Sequence, residues 1–208
     1  MAVKTATVVD PFSTPRAREG AGVFGMWLFI VTLAVLFLAT ILGYLVVRLN
    51  PDPAEPFIPD DAPPLPRLLL LSTGVLVASS ATMHATVRAI RAARRARASA
   101  MAGWTLALAL LFLGLQGWAW VDLWRANLRI QDSLYAWTFY VLTGLHAAHV
   151  IGGLIPLTLV WRRARATGYT PEHPEGAVYC AMYWHFLDAV WIVLYATLWV
   201  GSISASAG

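Results

Sequence analysis

The run Tyr183-Trp184-His185-Phe186-Leu187-Asp188-Ala189-Val190-Trp191 places an imidazole, a carboxylic acid and two indoles inside the apolar segment Ala177–Ile203. An ionisable side chain at membrane depth costs about 2.5 kcal/mol or more unless it finds a partner, so it marks a functional or assembly site. His185 and Asp188 are three apart and share nearly one helix face. Trp184, Asp188, Trp191 and Tyr195 recur at spacings of four, three and four, a stripe that points at protein neighbours. The segment before it, Leu134–Trp161, carries His146 and His149 beside a ridge of small residues, Gly144, Ala148 and Gly152, that would admit a neighbouring helix closely. Gln116 is the polar residue of the third segment. His84 is that of the second, after the hydroxyl-rich run Ser72, Ser79, Ser80 and Thr82.

Three chemistries suit these side chains. Haem or metal ligation needs histidines at matching depth on two helices. His84 and His185 differ by ~7 Å in distance from their segment ends at helical rise, and His146 and His149 sit within one turn of each other. A proton or substrate path would string several acids across the bilayer, whereas Asp188 stands alone at such depth. Interhelical hydrogen bonding, fixing packing or a partner interface, is the plainest of the three. His149 lies ~18 Å from the Trp161 end and Asp188 ~17 Å from the Ala177 end, so a His149–Asp188 pairing is expected between adjacent helices. Cys180 is the sole cysteine, which leaves no disulfide framework and no thiolate metal site.

The elements that must hold these groups follow from composition. The 208 residues are 59% hydrophobic and 12% charged. Five charge-poor segments, 24–47, 68–87, 101–121, 134–161 and 177–203, each supply the ~20 residues a spanning helix needs. None alternates in polarity, so helices rather than a barrel satisfy the backbone in lipid. The expected architecture is an all-α, integral membrane, five-helix bundle over 24–203. A flexible tail, 1–23, precedes it, and a short external tail, 204–208, follows. Lys4, Arg16, Arg18, the run Arg88–Arg97 and the run Arg162–Arg165 fall on one side, which places the N-terminus in the cytoplasm and the C-terminus outside. The arginine run is a topological anchor before it is a nucleic-acid site, and the pI of 9.6 has the same origin. The first loop, with Pro51, Pro53, Pro56, Pro59, Pro63, Pro64 and Pro66, reads as an extended connection. Trp104, Trp124, Trp137, Trp161 and Trp199 sit toward segment ends, where indoles belong at the headgroups.

The segment Tyr183–Tyr195 resembles the last transmembrane helix of cytochrome oxidase subunit III, in the haem-copper oxidase superfamily. Tyr135, Thr138-Phe139, Thr143-Gly144-Leu145-His146 and His149-Val150-Ile151-Gly152 are similar to the helix that precedes it there. Weaker similarities occur at Phe24–Phe29, at Leu113-Gly114 with Gln116, and along Ser72–Thr82, so the resemblance covers residues 20–203. Five helices resemble the short form of that family, as in quinol oxidases and in relatives beside nitric oxide reductases. The resemblance implies a non-catalytic subunit of a bacterial inner-membrane terminal oxidase, with no cofactor of its own. Haem and copper would reside in its partners, the catalytic subunit I and the copper-binding subunit II, and phospholipids would line its outer faces. His146, His149, Trp184, His185, Asp188, Trp191, Gln116, Gly144, Ala148 and Gly152 become subunit-interface or lipid-contact candidates. Two positions depart from the family pattern: Val31-Thr32-Leu33-Ala34 lacks an acid, and Ala119 stands where many members carry glutamate. A proton-supply role tied to those acids is weakened accordingly. The competing readings are an accessory subunit of a nitric oxide reductase or quinol oxidase complex, or a stand-alone small transporter or b-type cytochrome.

Overall fold

Buried positions along four of the helices repeat at alternating intervals of three and four, and this seam sets the architecture. The computed structural model describes residues 15–50, 57–58, 63, 65–131, 133–166 and 168–205. Five helices account for nearly all of them: α1 (Pro15–Leu49), α2 (Arg67–Arg91), α3 (Arg95–Arg125), α4 (Leu134–Arg165) and α5 (Glu175–Ala205). Each is long and apolar enough to cross a membrane. On α2 the seam is Leu69, Ser72, Leu76, Ser79, Met83, Thr86 and Ile90; on α3 it is Ala98, Ala102, Thr105, Ala109, Phe112, Gln116, Ala119 and Leu123. On α4 it runs through Phe139, His146, Val150, Gly153, Leu157 and Val160. On α5 it runs through Ala177, Trp184, Leu187, Asp188, Trp191, Leu194 and Leu198. A repeat near 3.5 keeps one face toward the neighbours over many turns, as in left-handed bundles.

α2, α3, α4 and α5 close into a ring, each packed on the next and α5 back on α2, with α1 laid against α5 and touching α4. Small residues on the α3 seam let α2 and α3 form the most extensive of these contacts. α1 runs parallel to α5. Gly22 meets the Tyr179 hydroxyl at one end, and at the other Arg48 donates to the Gly201 carbonyl at 2.8 Å and to the Tyr44 hydroxyl at 2.9 Å. Much of α1 remains open, with Phe24, Trp27, Val35 and Leu38 exposed. In an aqueous protein such a surface would be an aggregation hazard; in lipid it is the expected exterior.

Helix ends show how the chain turns. After α2, Arg94 N–H bonds the Ala89 carbonyl at 2.8 Å while Ala93 takes φ 55°, a left-handed position that costs a Cβ-bearing residue about 1 kcal/mol. After α3 the same device uses Asn127 at φ 62°, a residue that tolerates it, with Leu128 N–H on the Leu123 carbonyl at 3.0 Å. The Ser133 hydroxyl caps α4 by accepting from Ala136 N–H at 3.1 Å. Between α4 and α5, burial pushes the Tyr169 hydroxyl above its ordinary pKa, and the nearby Arg163 guanidinium pulls it back.

α1 begins at Pro15 rather than near residue 24, so residues 15–23 of the expected flexible tail are helical. Proline suits a first helical position, where its missing N–H has no partner to lose. α5 likewise continues to Ala205. Residues 1–14, most of the proline-rich loop and residues 206–208 lie outside the described residues. Pro156 sits inside α4 without interrupting it.

Candidate functional site

The stripe Trp184–Asp188–Trp191 lies on the inward seam of α5, where its indole N–H groups reach α2 while the indole rings also pack against α4. Trp184 and Trp191 are each 1% exposed. Trp184 Nε1–H donates to Ser79 Oγ at 2.9 Å, and Trp191 Nε1–H donates to Thr73 Oγ1 at 3.0 Å. Both hydroxyls can accept because their own protons already go to backbone carbonyls, Leu76 at 2.8 Å and Leu69 at 2.7 Å. Two-turn spacing on antiparallel helices makes the match: Thr73 and Ser79 on α2 meet Trp191 and Trp184 on α5. Further cross-ties follow the same pattern. Ser80 Oγ and His185 Nδ1 are 2.6 Å apart, Trp120 Nε1–H donates to Thr143 Oγ1 at 3.1 Å, and Thr82 and Thr105 hydroxyls lie 2.9 Å apart. Interhelical bonds of this kind contribute about 0.6 kcal/mol each in lipid, up to about 1.7.

The histidines separate. His146, 0% exposed, lies tilted against Trp191 at 4.9 Å between ring centroids, with Phe112 edge-on at 5.8 Å and Phe37 at 6.3 Å. His149 turns to α1. Its ring lies 5.1 Å from Phe37, and its Nδ1 donates to the Leu145 carbonyl of its own helix at 2.8 Å, while its backbone carbonyl accepts from the Tyr183 hydroxyl at 2.8 Å. The expected His149–Asp188 pairing is therefore absent. Depth matched, but the azimuth did not: Asp188 points along the inward seam of α5, where its polar neighbour is Ser80 of α2, while His149 turns to α1. His185 belongs to the same α2–α5 seam, with the His84 ring 6.3 Å away. Among the described residues, the side chains of Gln116, His146 and Asp188 make no hydrogen bond although all are buried. Gln116 sits one turn along α3 from Phe112, whose ring contacts both His146 and Trp191.

The small-residue ridge on α4 is also corrected. Ala148 and Gly152 are exposed, and a Cβ built on Gly152 meets nothing within 4 Å among the described residues. Positions four apart drift off a 3.5-residue seam, so the ridge starts half-buried beside Trp120 at Gly144 and has turned outward by Ala148 and Gly152. The close approach of α5 uses Gly153 instead, where a Cβ would stand 2.8 Å from Tyr183 Cε1 and 3.1 Å from Trp184 Cζ3. Trp104, Trp124, Trp137 and Trp199 are exposed toward helix ends, as an interfacial belt requires. Among the described residues no group of three or more His, Cys, Asp or Glu is placed to hold a metal ion. Trp120 and Thr73 were not singled out by sequence; hydroxyls at two-turn spacing opposite indoles were the available signal.

Residues 8–202 match the family described as Cytochrome c oxidase subunit III. Among relatives of that name, the protein of Gallus gallus is 34% identical over 91% of this chain and 73% of its own length. That of Synechocystis sp. is 35% identical over 85% of this chain and 74% of its own. A probable cytochrome c oxidase subunit 3 of Nocardia farcinica is 35% identical over 64% of this chain and 66% of its own length. With nearly the whole of its five-helix bundle inside the match, the chain belongs to the cytochrome c oxidase subunit III family.

Proposed function

We propose that this chain is the non-catalytic subunit III of a haem-copper terminal oxidase in a bacterial inner membrane, N-terminus cytoplasmic. It packs on the catalytic subunit, beside a copper-binding subunit, and phospholipid covers its remaining outer faces. The observation that carries this reading is the use made of the intramembrane polar groups. Trp184, Trp191, His185 and Trp120 are spent on cross-ties between helices, and His146 is sandwiched by aromatic rings. That is a scaffold rather than a reaction site. Haem and copper belong to the partner subunits in this reading, and the chain supports stability and proton supply during turnover.

Asp188 and its seam neighbours Ser80 and His185 are the proposed assembly contact. They lie on the α2–α5 seam, with Ser80 and His185 half-buried at its outer edge and the buried Asp188 carboxyl behind them. The test is to purify the complex with and without this subunit. Removal should leave haem and copper content and the initial turnover rate intact while shortening the activity lifetime. Stoichiometric haem or copper bound to the isolated chain, or loss of the initial rate with the haem spectrum unchanged, would overturn the reading.

A further inference from the structure

The turn from α2 into α3 does more than reverse the chain. With Ala93 in the left-handed region, the last turn of α2 and the first of α3 fold over each other. Arg88, Arg91, Arg94 and Arg97 thereby line one cavity of about 590 Å³. None of the four guanidinium groups makes a hydrogen bond or ion pair among the described residues. Neither helix supplies a neutralising acid of its own, since no Asp or Glu occurs between Asp61 and Asp122. Four guanidinium groups around one space repel each other and present planar donor forks suited to phosphate. The cavity also continues down α2 past Ala85 and His84 to Ala81, the last ~10 Å along the helix from Arg88 at 1.5 Å per residue. A topological anchor needs only the charges. It needs neither a shared groove nor a continuation along Ala85 and Ala81 toward the bilayer.

We propose that this cavity binds the phosphate headgroup of an anionic phospholipid from the leaflet on the side of the α2–α3 turn, with an acyl chain lying along Ala85 and Ala81. The site rests on the five-span membrane placement and not on the oxidase assignment. Free phosphate would have no use for the alanine-lined part, and an acidic protein segment would have no reason to reach membrane depth.

The test uses the purified complex, delipidated and reconstituted in phosphatidylcholine vesicles containing phosphatidylglycerol, with retained lipid read by native mass spectrometry. Two variants act on different parts of the site. Arg88→Gln with Arg94→Gln removes charge, whereas Ala85→Trp fills the deeper part and leaves all four arginines, and hence the orientation signal, in place. The expected result is a loss of phosphatidylglycerol preference of about fivefold for each guanidinium removed. A comparable loss is expected in Ala85→Trp, with phosphatidylcholine retention unchanged in both. If Ala85→Trp retains phosphatidylglycerol like the parent, and inorganic phosphate displaces what is bound, the site takes a free anion and the proposal fails. It fails equally if both variants keep their lipid and the arginine variant instead sheds another subunit. Should the arginine variant insert poorly, the Ala85→Trp result decides alone.

Discussion

His146 and Asp188 are both buried without a hydrogen bond, yet they ask for different experiments. His146 is ringed by Trp191, Phe112 and Phe37, so its contribution is a flat ring in an aromatic stack. A polar group left unsatisfied costs roughly 1–3 kcal/mol, while a same-shaped apolar replacement is close to neutral or stabilising. His146→Phe should therefore leave thermal stability in detergent unchanged or raised. A fall of more than about 1 kcal/mol would mean the imidazole nitrogens are bonded in the folded chain. Asp188 separates two readouts. Asp188→Leu should leave the isolated subunit about as stable, because burying an apolar side chain offsets the loss of the Ser80 neighbour, and should lower its retention in the complex. Asp188→Asn, which keeps an acceptor and adds donors, should retain the subunit better than leucine does. Equal retention in parent, Asn and Leu forms would remove Asp188 from the assembly contact.

At the level of helices, the five spans were legible because length and apolarity alone satisfy the backbone in lipid, and that criterion needs no knowledge of neighbours. The azimuth of each helix was not, since it is decided by what packs on either side. The Gly144–Ala148–Gly152 ridge and the His149–Asp188 pairing both failed on azimuth, although depth and spacing had been read correctly. The 3.5-residue seam carried the missing information: Gly153, His146, Trp184 and Trp191 all lie on it, and the misplaced ridge does not. Adjacent glycines test this directly. Gly153→Ala should cost about 1–3 kcal/mol, since Tyr183 and Trp184 must shift to admit the methyl group. Gly152→Ala should be neutral or slightly stabilising through helix propensity. Comparable melting temperatures for the two would contradict the seam. The α2–α3 turn offers a gain rather than a loss. Ala93→Gly relieves the left-handed strain and should stabilise the chain by about 1 kcal/mol, measured as a rise in melting temperature, where an ordinary helical Ala→Gly change would lower it.

Across the whole molecule, the ring of α2 to α5 closes without α1, and α1 is held along α5 by contacts at its two ends and in the middle. Phe37 fills the middle, among His146, His149 and Phe186. The Gly22–Tyr179 contact holds one end, and the Arg48 clamp onto Tyr44 and Gly201 holds the other. Ring and appended helix should therefore differ in local stability, with α1 drawn from the weaker end of the range. The clamp is the sharpest place to test this, because its bond joins the far end of α1 to a backbone carbonyl. Arg48→Leu removes a charged donor, and such bonds contribute about 1.5–3 kcal/mol where desolvated. Gly201→Val attacks the same clamp from α5, since any Cβ there collides with the Arg48 and Tyr44 side chains. Either change should raise amide hydrogen exchange in the last two turns of α1 while leaving the α2–α3 seam protected. Exchange that rises equally in both places would mean that α1 and the ring unfold as one unit, and that the separation of scaffold and appended helix drawn from the packing does not exist in solution.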